Sequence, residues 1–258
     1  MHERSGRTAA EGATAPPDDP IVVAEALTKV YGGSGAAVHA LAGVSARFAP
    51  GQFTAIMGPS GSGKSTLLHC LAGLDRPTGG RVVVGGVDLT RLSPTALTVL
   101  RRERLGFVFQ AFNLLPMLTV EENITLTARL GRRRVDPAWL ATLTYGLGLR
   151  DRLRHRPSEL SGGQQQRVAV ARALFTRPDV VFADEPTGNL DSHASAEVLR
   201  FLRGAVDTYG QTVVLVTHNP IAAAHTDRVL FLSDGRIVDE LPEPSTGTIL
   251  ARVRRLEG

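Results

Sequence analysis

The segment Gly58–Ser65, which reads GPSGSGKS, has the residue types and the spacing of a phosphate-binding loop, G-x-x-x-x-G-K-[ST]. Its glycines let the backbone wrap tightly, so that several N–H groups point inward at an anion. Lys64 can reach the β- and γ-phosphates of a nucleotide, and the Ser65 hydroxyl can bind Mg²⁺. The loop predicts a nucleoside triphosphate site but does not specify the reaction. The predicted phosphate-binding residues are Gly58, Pro59, Ser60, Gly61, Ser62, Gly63, Lys64, Ser65 and Thr66.

Two adjacent acids, Asp184 and Glu185, follow an apolar run at 180–183 that predicts a buried strand. Open α/β sheets bind their ligands at the carboxyl ends of the strands, where these acids would emerge. We expect Asp184 to hold Mg²⁺ directly or through water, and Glu185 to orient or deprotonate an attacking water. Because successive strand residues point to opposite faces, this prediction requires the strand to end between the two acids.

Three further polar residues are candidates because of their position. Gln110 and His218 each end a strand-like run, so we expect both at the same sheet edge as Asp184, where they could touch the γ-phosphate or the attacking water. A histidine at a strand end is more often structural, so on the residues alone that alternative stays open for both. Tyr31 precedes a glycine-rich segment and could stack on an adenine ring.

A second glycine-rich helix start lies in the segment ELSGGQQQ, at 159–166. Ser161 and Gln164 have the spacing of a capping box, which predicts an ordinary, well-capped helix. Gly162 and Gly163 are poor helix formers placed in the first turn, where their N–H groups stay free to meet an anion. The segment lacks the lysine of a complete phosphate loop, so we expect a weak site unless another surface completes it.

Strand-like and helix-like segments alternate along most of the chain, which indicates an α/β fold with a parallel sheet covered on both faces. The N-terminal strands and a helical insert from about 111 to 157 stand outside that alternation. The predicted strands are 21–27, 41–48, 53–58, 105–110, 179–185, 212–218, 227–232 and 236–239, with a hairpin at 81–89. The predicted helices are 64–71, 119–130, 137–147, 195–206 and the helix that follows Ser161.

Composition narrows the functional classes. The 258 residues are 43% hydrophobic and 21% charged, with a net charge of +4 and one cysteine, so no intrachain disulfide can form. Aromatics make up 5%, too few for the stacking platforms of single-strand nucleic-acid binders. Arginines cluster at 132–134 and 150–156 without interleaved aromatics, which indicates a solvated basic face or attraction to an anionic membrane. We expect no nucleic-acid partner.

The first 20 residues contain no apolar run, so we expect a disordered tail and not a signal peptide. No window approaches the roughly 18 apolar residues of a membrane span. If the protein works on a membrane, another chain is expected to supply the spanning helices.

In combination, these motifs resemble the nucleotide-binding domain of the ATP-binding cassette (ABC) ATPases over roughly 22–240. LSGGQ, at 160–164, looks like the signature motif of that family, and it occurs with the phosphate loop and ADEPTGNLDS in the family's order. The resemblance extends to the ATP-binding subunits of lipoprotein-releasing and of macrolide- or peptide-exporting systems, the LolD and MacB type. The cell-division ATPase FtsE is a close cousin.

The resemblance implies an α/β P-loop NTPase (RecA-like) core with an N-terminal antiparallel β subdomain and an inserted α-helical subdomain. The ATPase domain would cover 21–242, with the helical subdomain at about 111–160, a tail at 1–20 and a C-terminal tail at 243–258. The implied cofactors are ATP and Mg²⁺. The implied site comprises Tyr31 on adenine, Glu185, His218 and Gln110 in catalysis, Ser65, Gln110 and Asp184 at Mg²⁺, and Ser161, Gly162, Gly163, Gln164 and Asp191 toward a partner subunit.

The resemblance also implies partners. Two such domains would pair head to tail around two ATP molecules, most simply as a homodimer, on the cytoplasmic face of the cell membrane. A separate integral membrane permease would be powered for export or mechanotransmission, and the apolar residues of 112–118 could contribute to its docking groove or pack within the insert. The alternatives are an FtsE-like regulator of an extracytoplasmic process and a soluble ABC protein of translation or DNA repair. Soluble ABC proteins usually carry fused domains or long insertions that this sequence lacks.

Overall fold

A computed structural model of the protein describes residues 19–32 and 37–257. Most of the tail predicted for 1–20 lies outside the described residues. The strands are β1 (Val22–Tyr31), β2 (Val38–Phe48), β3 (Phe53–Met57), β4 (Gly79–Val84), β5 (Val87–Asp88), β6 (Leu105–Phe109), β7 (Val180–Asp184), β8 (Thr212–Val216), β9 (Arg228–Ser233) and β10 (Arg236–Pro242). The helices are α1 (Lys64–Leu71), α2 (Pro94–Arg104), α3 (Val120–Leu130), α4 (Pro137–Gly146), α5 (Gly162–Phe175), α6 (Ser192–Tyr209), α7 (Pro220–Ala223) and α8 (Thr246–Glu257).

A six-stranded sheet forms the centre, in the order β10-β9-β3-β8-β7-β6. All neighbouring strands are parallel except β10 and β9, which are antiparallel. Successive side chains point to opposite faces: on β8, Val213 and Leu215 join one core cluster, whereas Val214 and Val216 join another. This burial on both faces explains why the central strands are apolar throughout instead of alternating.

The second sheet is antiparallel and has four strands, in the order β2-β1-β4-β5. The predicted hairpin forms between β4 and β5, and Gly85 and Gly86 make its turn with φ of 51° and 78°. Leu27, Leu41 and Phe48 of this sheet are fully buried in the core cluster that includes α1 and α2. The N-terminal strands therefore cover the face of the central sheet on which α1 and α2 pack.

The helical insert packs on the opposite face. Helix α3 begins with a capping box between Thr119 and Glu122, and Asp136 caps α4, which has Pro137 in its first turn. These signals explain why the two predicted helices form close to their predicted bounds. Helix α5 lies between the insert and the sheet, with contacts to α3, α4 and α6.

Two segments differ from simple expectation. Helix α2 was not predicted from the sequence, because its apolar pattern is sparse: only Leu97 and Leu100 are buried. The expected C-terminal tail contains α8, whose Ile249 is fully buried beside Met57 and Phe231. Asp239 of β10 forms salt bridges with Arg252 and Arg255, which fix α8 to the sheet. Within 19–32 and 37–257, no helix has both the length and the apolar character needed to cross a membrane.

Candidate active site

The phosphate loop connects β3 to α1 and is shaped by close backbone approaches. Gly63 has a φ of 98°, and a Cβ atom there would lie 2.3 Å from the backbone oxygen of Ala40, so no larger residue fits. Gly61, with a φ of 80°, faces open space where a ligand could approach. The Lys64 ammonium group folds over the loop and donates to the Pro59 carbonyl at 2.8 Å.

The remaining loop residues have distinct surroundings. Ser62 is buried, its carbonyl accepts from the Gly235 amide at 3.0 Å, and its hydroxyl has no partner among the residues described. Pro59 and Ser60 are exposed. Burial lowers the pKa of Lys64 below its ordinary value, and the nearby Glu185 and Asp184 carboxylates oppose that effect. The lysine thus faces acids across the site and is poised for an anion that would replace its contact with Pro59.

The strand ends between the two predicted acids, as the prediction requires. Strand β7 ends at Asp184, and Glu185 takes the left-handed backbone region with a φ of 46°. The Ser65 hydroxyl donates to Asp184 Oδ1 at 3.0 Å, and His69 Nε2 lies 3.5 Å from Asp184 Oδ2. A strained, non-glycine residue at a strand end persists only where its surroundings hold it.

His218 provides part of that hold. Its Nδ1 lies 2.7 Å from Glu185 Oε1, and its backbone N–H donates to the same oxygen at 3.1 Å. The Glu185 amide donates to Val216 on the neighbouring strand at 2.9 Å. The structure therefore brings Ser65, Asp184, Glu185 and His218 into one cluster of two neighbouring hydrogen-bonded pairs, Ser65–Asp184 and His218–Glu185, beside Lys64.

Gln110 lies at the same edge but faces a different neighbour. Phe109 pairs with Asp184 in the sheet, so Gln110 and Glu185 each follow the last paired residue of two neighbouring strands. Its side-chain amide donates to Asn189 Oδ1 at 3.1 Å, and Asn189 returns a bond of 3.1 Å to the Gln110 carbonyl. Gln110 makes no hydrogen bond to Ser65 or Asp184 in this arrangement. Asn189 was not among the residues singled out from the sequence, although it lies within the segment ADEPTGNLDS.

Tyr31 lies at the end of β1, outside the acid cluster. Its side chain is 42% exposed, its hydroxyl donates to Asp75 at 2.6 Å, and Lys29 Nζ lies 4.7 Å from the ring centroid. Burial and the Asp75 hydrogen bond raise the pKa of Tyr31, and the Thr66 hydroxyl next to it opposes that shift. Thr66 of α1 therefore lies close to the Tyr31 hydroxyl. No sequence pattern pairs Tyr31 with Asp75.

The segment around Ser161 forms a separate concave surface. The predicted capping box is confirmed: Ser161 Oγ accepts from the Gln164 amide at 3.3 Å, and Gln164 Oε1 accepts from the Ser161 amide at 2.9 Å. A cavity of about 430 Å³ opens beside Gly162 and Gly163 and is also lined by Asp191, which caps α6 by accepting from the Ala194 amide at 2.8 Å. No residue of the phosphate loop lines this cavity.

A family model described as "ABC transporter" matches residues 41–188, more than half of the chain. The chain belongs to the ABC transporter family. The predicted ABC ATPase fold is confirmed by a solved structure titled a dimeric structure of MJ0796, a bacterial ABC transporter cassette. It has a TM-score of 0.80 and 37% identity, and the match covers 87% of this chain and 99% of that one. A second structure, of the same cassette in a post-hydrolysis state bound to ADP and Pi, has a TM-score of 0.79 and 37% identity, with the same coverage.

The predicted resemblance to LolD and MacB is also confirmed. A lipoprotein-releasing system ATP-binding protein LolD, from Anaeromyxobacter dehalogenans, is 46% identical over 88% of this chain and 97% of its own length. A macrolide export ATP-binding/permease protein MacB, from Marinobacter nauticus, is 44% identical over 86% of this chain. The ABC chain described here spans about a third of the MacB proteins that it matches, since the alignment covers 34% of that MacB protein.

Proposed function

We propose that the chain is the ATP-binding and ATP-hydrolysing subunit of an ABC transporter, acting as a pair with a separate membrane permease. One observation carries the proposal. The Ser65, Asp184, Glu185 and His218 cluster is assembled within one chain, whereas the signature segment faces a separate cavity with no phosphate-loop residue. One chain therefore supplies a catalytic half and a recognition half that do not meet.

ATP would bind through the phosphate loop. The inward amides of 58–65 and the α1 N-terminus stabilise phosphate charge, and Lys64 exchanges its Pro59 contact for a phosphate oxygen. Tyr31 has an exposed ring beside α1 on which adenine could stack.

The chain offers a fitting pair of ligands for Mg²⁺. The Ser65 hydroxyl and Asp184 Oδ1 are 3.0 Å apart, and both are hard oxygen donors. No cluster of three or more acidic, histidine or cysteine ligands occurs among the described residues. Mg²⁺ suits a site with two protein oxygen ligands, because it keeps waters and takes its other ligands from phosphates. When bound, it would neutralise charge developing on the β- and γ-phosphates. Gln110 would join this set only after leaving Asn189.

Glu185 is placed to act as the general base. Its Oε1 accepts two hydrogen bonds from His218, one from the backbone and one with the ring, so the carboxylate has a fixed direction. The His218 side chain is itself well exposed, so it would be open to the γ-phosphate of a bound nucleotide. A fixed carboxylate next to the terminal phosphate orients water and accepts its proton.

The signature half needs a second chain. Ser161, Gly162 and Gly163 border an open cavity, and Asp191 and His193 also line it. A second copy would bring its own γ-phosphate to these amides, and the missing lysine would then come from that copy.

The permease would dock in a groove between the sheet and the helical insert. This cavity, of about 380 Å³, is lined by apolar Leu74, Phe107 and Leu126 and by the cationic Arg101 and Arg102. The adjoining loop at 112–118 exposes Met117, which is 75% accessible, without a partner in the described chain. Such a mixed groove suits a short helix with apolar anchors and an acidic or carbonyl-rich end.

Peripheral attachment to the cytoplasmic membrane face is supported by the loop after α3. Arg132, Arg133 and Arg134 are exposed and form no salt bridge within the described ranges, and Leu130 beside them is 64% exposed. Anionic headgroups attract each such arginine by about 1 kcal/mol. The triple change of 132–134 to glutamine should reduce sedimentation with phosphatidylglycerol vesicles. The change of 150, 152 and 154 to glutamine removes the same charge and should leave sedimentation unchanged. Equal losses in the two variants would show that net charge alone, and not the loop at 132–134, causes the binding.

The pairing is tested by Ser161→Arg. The bulky cation should prevent the partner nucleotide from approaching, so ATP turnover falls by about 100-fold or more while nucleotide binding by the single chain is retained. Ser158→Arg is the matched control, because Ser158 is exposed one turn before the signature. Full turnover in Ser161→Arg, with binding intact in both, would contradict the paired site.

Permease docking is tested by co-purification from membranes. Met117→Asp should lose the membrane partner yet keep the ATPase activity of the isolated chain. Ile221→Asp is the matched control, because Ile221 is also an exposed apolar residue, 62% accessible, but lies on α7. Retention of the permease by Met117→Asp would exclude this loop as the docking surface.

A further inference from the structure

Two long polar side chains of α5, Gln166 and Arg172, donate hydrogen bonds to backbone carbonyls of other segments and not to the phosphate loop or the signature. Gln166 is fully buried, and its Nε2 donates to the Pro186 carbonyl at 2.6 Å and to the Phe109 carbonyl at 3.3 Å. Its Oε1 has no partner in the described part of the chain. A buried amide with an unpaired acceptor costs free energy, so its retention needs a reason beyond packing.

The positions of the Phe109 and Pro186 carbonyls indicate what that reason is. Phe109 directly precedes Gln110, and Pro186 directly follows Glu185. The Gln166 amide therefore connects α5, the helix that begins at the signature, to two places in the candidate site. One is the strand end just before Gln110, and the other is the turn just after Glu185. A shift of α5 would act on both carbonyls through this amide, because Gln166 is fully buried and its bond to Pro186 is short at 2.6 Å.

Arg172 holds the chain on the other side of Gln110. Its guanidinium donates to the carbonyls of Phe112 at 2.8 Å and Asn113 at 2.5 Å. Both of these residues occupy the left-handed region, with φ of 57° and 50°. Non-glycine residues keep such backbone angles only when neighbouring groups fix them. Helix α5 thus holds the chain by hydrogen bonds on both sides of Gln110. Gln166 binds the carbonyl of Phe109, and Arg172 binds the carbonyls of 112–113.

We propose that Gln166 is a positioning residue that couples Ser161, at the start of α5, to Glu185 and Gln110 of the same chain. Occupation of the signature by the partner nucleotide sets the position of α5, and the Gln166 amide passes that position to the catalytic edge. Each chain then hydrolyses its own ATP efficiently only when its signature is engaged. The inference rests on the proposed paired ATPase and adds the element that links its two half-sites.

The test compares Gln166→Met with Gln165→Met in the full chain. Methionine has a similar length but no donor, so the Phe109 and Pro186 carbonyls lose their partner. Gln165 is the matched control, because it is the same residue one position earlier and its amide bonds only to Leu160, at 3.2 Å, next to its own helix. ATP affinity should stay within about 2-fold in both variants, since neither touches the phosphate loop.

Gln166→Met should lower kcat by about 10-fold, because a small displacement of Glu185 misaligns the attacking water. The Hill coefficient for ATP should fall toward 1, a change that simple loss of stability would not produce. Gln165→Met should match the wild-type protein in both quantities. If Gln166→Met loses thermal stability but keeps kcat and the Hill coefficient of Gln165→Met, Gln166 is only structural and the inference fails.

Gln166→Glu decides the question if the methionine variant does not fold. A glutamic acid keeps the shape and regains one donor when protonated, so relative kcat should recover as the pH falls from 8 to 6, whereas Gln165→Glu should show no such recovery. Absence of recovery in a folded Gln166→Glu would overturn the proposal. An inactive wild-type chain would instead refute the proposed ATPase itself, so the two failures are distinguishable.

Discussion

Gly163→Ala tests why the signature segment needs its second glycine. A Cβ atom at Gly163 would lie 2.8 Å from the Cβ of Ala194 on α6, so the two helices must separate by at least roughly 0.6 Å to reach 3.4 Å, the lower limit of ordinary contact. Ala194 is 8% exposed and has no flexible end that could move aside. Steric overpacking costs about 1–3 kcal/mol, and the helix-forming gain of alanine over glycine offsets about 0.5–1 kcal/mol of it.

The net loss in the free energy of unfolding is therefore about 0–2.5 kcal/mol, which lowers the Tm by up to about 10 °C in a chain of this size. The double variant Gly163→Ala, Ala194→Gly moves one methyl group from α6 to α5 and keeps the packed volume. We expect it to recover most of the loss, with a favourable coupling of about 1 kcal/mol. Urea denaturation of the four proteins of this cycle, without nucleotide, measures that coupling.

ATP turnover in the same variants separates two reasons for the glycine. If packing against α6 is the requirement, the double variant regains activity along with stability, since the amides at 162–163 remain open. A double variant that is stable but inactive would show that the nucleotide needs the space at Gly163. Additive effects of the two changes, with no coupling, would refute the steric reasoning itself.

Two further changes test separate parts of the account. Lys64→Ala should weaken ATP binding by at least about 10-fold, since it removes a cation from the phosphates; unchanged affinity in equilibrium dialysis would contradict the phosphate-loop assignment. The Arg252 hydrogen bond lowers the pKa of Asp239, so this carboxylate stabilises the fold above about pH 4, the ordinary aspartate value, and that stabilisation is lost as the pH falls through the lowered folded-state pKa. Asp239→Asn should therefore be less stable than wild type at pH 6, with the difference shrinking toward pH 3; a constant difference in urea denaturation across that range would exclude this ion pair as the cause.

Much of the fold was predictable because its signals are local. The apolar runs of β3, β7 and β8 predict buried strands, and α1 forms over Lys64–Leu71, the range that the sequence predicts. Helix α2 was not predictable from apolar periodicity, since only two of its residues are buried, although Ser93 and Pro94 carry the signal of a helix start. Helix α8 depends on Ile249 entering a small cluster with Phe231, which no local pattern reveals.

The site divides in the same way. The phosphate loop, the two acids and the capping box are contiguous motifs, so their spacing alone indicates their chemistry. Gln166 and Arg172 are polar residues in a helix, and sequence alone cannot distinguish them from solvent-facing residues. Their partners at 109–113 and 186 lie 20 to 60 positions away, and only tertiary packing brings them together. Gln110 illustrates the limit: its place at the sheet edge was predictable, but its bond to Asn189 was not.

The central claim is that two chains complete each other's ATP sites, and Glu185→Gln tests it most directly. This change removes the base but keeps the shape of the site, so ATP should bind without turnover and hold the pair closed. Light scattering after gel filtration should then give twice the 27.5 kDa of one chain with ATP and Mg²⁺, and the single mass with ADP. Adding Ser161→Arg should return the ATP-bound protein to the single mass. An ATP-bound Glu185→Gln protein that stays at 27.5 kDa would contradict the account.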